Sequence, residues 1–135
     1  MESCSLPAFR DDGSAVTLAE ILDRVTSGDK MRWSVIDFHG VGTAPEGLTM
    51  DEFERRSRRS PNGVAFSWQQ LRTFANRLQQ TIDCEIVGRK MTTMIESEEL
   101  LPESSRELVL SMLDSTRWEV LSVDKSLISE IASLA

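Results

Sequence analysis

The sequence is short of the residues that staple small domains or hold metals: it has two cysteines, Cys4 and Cys84, and one histidine, His39. Two thiols lying 80 residues apart make neither a disulfide framework nor a metal knuckle. They read as free thiols of a reducing compartment. Long hydrophobic runs are also missing. The longest span three residues, as at Leu108-Val109-Leu110, against the roughly 18 or more that cross a bilayer. Met1 to Pro7 carries an acid where a secretory leader carries a base, and no apolar core follows. The expectation is a cytoplasmic protein that does not touch membranes. Basic residues are outnumbered, 15 Lys and Arg against 22 Asp and Glu, for a formal charge of −7. That deficit disfavours nucleic acid and anionic lipid, whose binding runs on cationic side chains. A basic protein partner is favoured instead.

What is present suits an ordinary globular chain. With 135 residues, 40% of them hydrophobic and 27% charged, one domain over residues 1–135 can bury about two-thirds of its unfolded surface. Residues 1–15 read as a flexible N-terminus. Three Ser/Thr-x-x-Glu/Gln boxes predict helix starts. Thr17 and Glu20 cap a helix with the stripe Leu18, Ile21, Leu22 and Val25, which Ser27-Gly28 ends. Thr49 pairs with Glu52, and only Met50 and Phe53 are apolar before the mostly charged Glu54 to Arg59, which predicts a surface helix. Ser67 and Gln70 open the strongest apolar stripe, Trp68, Leu71, Phe74, Ala75 and Leu78.

Met31 to Phe38 alternates imperfectly, with Met31, Trp33 and Val35 on one side and Ile36 and Phe38 on the other, as in a strand buried on both faces. Gly40 to Gly47 reads as a loop and Ser60-Pro61-Asn62-Gly63 as a turn, leaving Val64-Ala65-Phe66 room for a short strand. Asp83 to Lys90 is a further strand. Residues 91–102 form an acidic connection that Pro102 bars from helix. Periodicity leaves Glu107 to Leu113 open between helix and strand; the turn chemistry of Asp114-Ser115-Thr116 and the alternation of Arg117 to Ser122 favour a C-terminal hairpin. Asp124 caps a last helix with Leu127, Ile128, Ile131 and Leu134 inward. The expected fold class is α+β: a single layer of mixed or mainly antiparallel sheet, about four strands, packed with about four helices.

Candidate chemistry is sparse. His39, two residues after Asp37 and before glycines, occupies a position that suits a base or metal ligand, but no second histidine supports it. A Cys84/His39 nucleophile pair needs a lowered thiol pKa, and Cys84 is flanked by Asp83 and Glu85, which work the other way. Gly40-Val41-Gly42 lacks the third glycine of a dinucleotide turn and is followed by Asp51 and Glu52, which repel phosphate. No catalytic residue, cofactor or metal ligand is expected. Arg55-Arg56-x-Arg58-Arg59 follows Asp51, Glu52 and Glu54 at pairing distance along a helix, so it reads as a self-paired helix end. Glu96, Glu98, Glu99 and Glu103 differ, because no Lys or Arg lies between Met94 and Ser105 to answer them. Such a patch steers basic partners. Glu46, Asp51 and Glu119 stand behind it as candidate contacts, with Trp118 as the exposed anchor.

Ser67-Trp68-x-x-Leu71-x-x-Phe74-Ala75, the strand Asp83 to Gly88 with Ile86-Val87, Asp114-Ser115-Thr116-x-Trp118-Glu119-Val120, and Asp124-x-x-Leu127-Ile128 together resemble small bacterial immunity proteins of polymorphic toxin systems. The resemblance runs from Ser67 onward. It implies a cytoplasmic inhibitor that binds a basic toxin domain and blocks its active site with no chemistry of its own. Two other readings stay open: an acidic type III secretion chaperone that dimerises around an effector segment, and a small hydrolase or cysteine enzyme using His39 and Cys84.

Overall fold

All three capping boxes start helices, each with the hydroxyl accepting from the backbone N–H three residues on and the Glu or Gln side chain reaching back. They are α1 (Leu18–Asp23), α2 (Met50–Arg59) and α3 (Trp68–Asn76). Asp124 caps α4 (Lys125–Ala132) through the N–H groups of Ser126 and Leu127. The computed structural model describes residues 1–96 and 99–135; Glu98, one of the candidate contacts, lies outside them. Six strands complete the described fold: β1 (Glu2–Pro7), β2 (Met31–Gly42), β3 (Val64–Phe66), β4 (Leu78–Lys90), β5 (Arg106–Leu113) and β6 (Arg117–Ser122). They form one sheet, every pairing antiparallel, in the order β1-β6-β5-β4-β2-β3.

The fold is α+β as expected, with six strands in place of four. The N-terminus supplies one of the added strands. Residues expected to be flexible pair with β6 from Glu2 to Pro7 and bury Leu6. Serines dilute the alternation there, so the pattern is weak while the backbone ladder is complete. Leu78 begins β4 instead of closing α3. The expected surface helix, α2, also buries Phe53, Glu54 and Ser57.

The irregular alternation of β2 has a specific cause. Its register against β4 shifts between Val35 and Asp37, and an extra residue at a bulge flips the parity of the side chains that follow. Phe38 therefore returns to the same side as Trp33 and Val35. There it meets Phe53 of α2 at 5.9 Å and Phe74 of α3 at 5.1 Å between ring centres, and Phe66 of β3 closes the cluster at 5.6 Å from Phe74. Aromatic pairs at these spacings add to the area they bury. Trp33 stacks on Trp68, centroids 5.3 Å apart, and donates its indole N–H to Gly28 O at 2.8 Å. A Cβ on Gly28 would lie 2.3 Å from the Trp68 ring, so glycine is needed for that approach.

A single cluster of buried side chains from the strands and all four helices fills this side of the sheet. Val87, Val109 and Ile95 are buried but outside it. The opposite sheet face thus carries a separate, smaller cover. Among the described residues no helix is long and apolar enough to cross a membrane.

Because Phe74 touches Phe38, Phe53 and Phe66, Phe74→Ala is expected to lower stability by about 3–5 kcal/mol. The exposed neighbour Thr73→Ala should stay within about 0.5 kcal/mol of the parent. Urea unfolding of the two variants checks both.

Candidate binding face

Strand alternation puts one set of side chains under the helices and the other on the far face. On that far face, β2 presents Arg32, Ser34, Asp37 and His39, and β4 presents Arg89, Val87, Glu85 and Asp83 as their neighbours in register. The described residues between Met91 and Ser105 cover one end of it. Asn62 holds this segment, donating its amide to Glu99 O at 2.8 Å and accepting from Leu101 N at 2.9 Å. Ile95 is buried beside Pro61, Gly63 and Val64. Beneath the segment, Ser34 and Arg89 are fully buried.

The other end stays open. A shallow depression of about 550 Å³ is lined there by Asp37, His39, Arg58, Asp83, Glu85 and Leu113. Asp37 stands directly opposite Glu85, and His39 opposite Asp83. Like charges facing each other across a ladder destabilise it. Each is only lightly answered: Arg58 Nε lies 3.4 Å from Asp37, and Arg106 Nη1 3.2 Å from Glu85. Asp83 accepts from Asp114 N at 2.8 Å. Part-exposed pairs of this kind contribute little stability, and with no ion pair to Asp83 among the described residues the three acids outnumber the two arginines on this part of the sheet.

The edge of this face is set by a buried carboxylate. β3 pairs only with Trp33 to Val35. Farther along β2, the Gly40 N–H donates to Glu54 Oε2 of α2 at 3.1 Å, and His39 Nδ1 donates to the same oxygen at 3.1 Å. Gly40-Val41-Gly42 is therefore strand, and its first glycine faces a carboxylate. This arrangement opposes phosphate binding at that point.

The structure distributes the sequence-nominated residues unevenly. Glu96, Glu99 and Glu103 are exposed along the covering segment. Glu119 lies on β6, opposite Ser111, with Arg117 Nε 3.1 Å away. Glu46 and Asp51 sit instead at the α2 flank, 3.7 Å from Arg56 and 3.2 Å from Arg55. The basic helix end is self-paired only in part: Arg55 meets Asp51 and Arg58 meets Glu54 within α2, while Arg56 meets Glu46 and Arg58 also reaches Asp37 outside it. Trp118 is no exposed anchor. It is 0% exposed, on the helix side of β6, and its indole donates to Val16 O at 2.8 Å. Charged neighbours on both sides of it are what alternation gives an inward residue, so they carried no sign of exposure. Nothing in the sequence pattern by itself marks Asp37, Asp83 and Glu85 as contacts. Their period-two spacing around Phe38 and Cys84 was visible, but only the β2–β4 register makes them neighbours.

Cys84 and His39 fall on opposite faces. Cys84 pairs with Phe38 on the core side, while the His39 side chain is about half exposed on the other. Burial, with Asp37, Asp83 and Glu85 nearby, pushes the Cys84 thiol up to about 12. A thiol in that state is not a nucleophile near neutrality. Among the described residues, no group of three His, Cys, Asp or Glu is placed to hold a metal ion. No family model, curated protein or solved structure matches the chain.

Two outcomes follow from these buried groups. The unfolded chain releases the Cys84 proton near pH 9, whereas the native chain holds it until near 12. The Cys84 contribution to stability is therefore fully present below pH 9 and falls above it, by on the order of 1 kcal/mol per pH unit; urea midpoints from pH 8 to 11 should show the decline, reduced in Cys84→Ala. Glu54→Ala, which strands the Gly40 N–H, is expected to cost about 1–3 kcal/mol. Glu54→Gln keeps an acceptor and should recover part of that loss in the same assay.

Proposed function

We propose that this chain is a non-enzymatic binding protein of the immunity-protein kind, which captures a toxin domain with a positively charged cleft and blocks it by contact. The observation that carries this reading is the Asp37–Glu85 pair, like charges in direct register on an uncovered sheet face, with Asp83 beside them. A fold retains such a pair at some cost in stability when the charge is used elsewhere. Arg58 and Arg106 hold the two carboxylates in place without cancelling the acidic centre. Glu96, Glu99 and Glu103 extend the negative field along the adjoining segment, and Glu119 extends it across β6. A basic cleft that receives an anionic substrate would meet these carboxylates in the substrate's place. Long-range attraction speeds such an encounter by about 10- to 1000-fold, and the rigid β2–β4 ladder keeps the acids set before contact.

The test begins with capture of the partner from source-cell lysate, washed at low and then high salt, and proceeds to association rates. Two triple variants are compared with the parent: Asp37→Asn with Asp83→Asn and Glu85→Gln, and Glu96→Gln with Glu99→Gln and Glu103→Gln. The expected result is a basic domain that is toxic without this chain. Its association should slow by about tenfold or more at low salt in the sheet-face variant, with the difference shrinking as salt rises. Association that neither variant nor salt alters would overturn the proposal.

A further inference from the structure

Arg89 is 0% exposed on β4, beneath the covering segment. Its Nε donates to Ser105 Oγ at 3.2 Å and its Nη1 to Ser34 Oγ at 2.9 Å. Its Nη2 is buried and meets no acceptor. Arg106, its register neighbour on β5, likewise leaves its Nε buried and unpartnered, while its Nη1 lies 3.2 Å from Glu85. On the other side Arg32 stands opposite Arg89 on β2, with its Nε donating to Met91 O at 2.6 Å.

Three arginines thus stand abreast on adjacent strands of a chain whose formal charge is −7. Among the described residues, Glu85 is the one carboxylate paired with any of them. Burial and the Arg106 charge both pull the Arg89 pKa down, and Glu85 alone opposes them. A buried guanidinium normally has its donors filled and its charge answered. Here one donor is left over on each of two guanidinium groups in register, and spare guanidinium donors are what oxyanions take.

We propose that Arg89 and Arg106 form a binding site for a small oxyanion of the phosphate class, held by Arg89 Nη2 and Arg106 Nε. The unpartnered donors behind this site are separate observations from the acidic face behind the partner reading, and the two share Glu85 and Arg106. The solvent-exposed side of the site is the Arg106–Glu85 pair, whose side chains are 18% and 36% exposed. Glu85 competes with the anion for Arg106, so removing its charge strengthens binding.

The probe is inorganic phosphate, titrated at pH 7 against sodium chloride of matched ionic strength and followed by calorimetry and thermal unfolding. The intact chain should bind one phosphate saturably and melt at higher temperature with it. Arg106→Gln should weaken the affinity by about tenfold or more, and Glu85→Gln should tighten it. Arg59→Gln, an equal charge change on α2, should leave it unaltered. Absence of saturable binding, with water alone filling the two donors, overturns the proposal. So does an affinity lost in Arg59→Gln and kept in Arg106→Gln, which places an adventitious ion on the α2 arginines. If Arg106→Gln fails to fold, Glu85→Gln decides: unchanged or weaker phosphate binding rejects the site.

Discussion

The antiparallel pairing of β2 with β4 is the interaction on which the rest of this molecule depends. It sets Trp33 against Gly88, Val35 against Ile86 and Phe38 against Cys84 on the side the helices cover. The same ladder sets Asp37 against Glu85 and His39 against Asp83 on the other. A slip of one residue would send the aromatic side chains into solvent and the acids into the core. The bulge after Val35 makes the long strand compatible with one core, because it brings Phe38 back to the helix side. Core and acidic face are two consequences of one register.

The two faces are managed by different means. On the helix side, phenylalanines from β2, α2, β3 and α3 fill a shared space, and the tight approach of Trp68 to Gly28 seals one end. On the far side, polar groups do the covering: Asn62 pins the backbone around Glu99 to Leu101, and Arg89 joins Ser34 to Ser105. This cover stops short of Asp37 and Glu85. The bare part of the sheet is therefore bounded by the covering segment at one end and by the Glu54 hydrogen bonds along the β2 edge.

Local signals in the chain were legible where a few adjacent residues specify the geometry. Thr17/Glu20, Thr49/Glu52 and Ser67/Gln70 satisfy orphan N–H groups within one turn, and all three open helices. Asp114-Ser115-Thr116 turns the β5–β6 hairpin, with Asp114 and Ser115 at positive φ. The strand at Glu2–Pro7 was not legible, because its stability comes from the ladder with β6, far away in sequence. Trp118 misled for a related reason. Flanking Arg117 and Glu119 show only that neighbours face outward, and the burial of Trp118 depends on Val16 and Leu6 arriving from the other end of the chain.

By itself the sequence determined the helix starts, the turns, the negative balance and the α+β class, since each is a local or compositional property of the chain. It also determined that Glu96, Glu99 and Glu103 lie in a stretch, Met94 to Ser105, that holds no Lys or Arg. Tertiary structure alone decided which acids face each other, that Cys84 and His39 part to opposite sides, and that Arg32, Arg89 and Arg106 stand abreast. The physical reason is that side-chain direction in a sheet follows from register. Register is fixed by strands distant in the chain, and one residue of shift or one bulge reverses every assignment that depends on it.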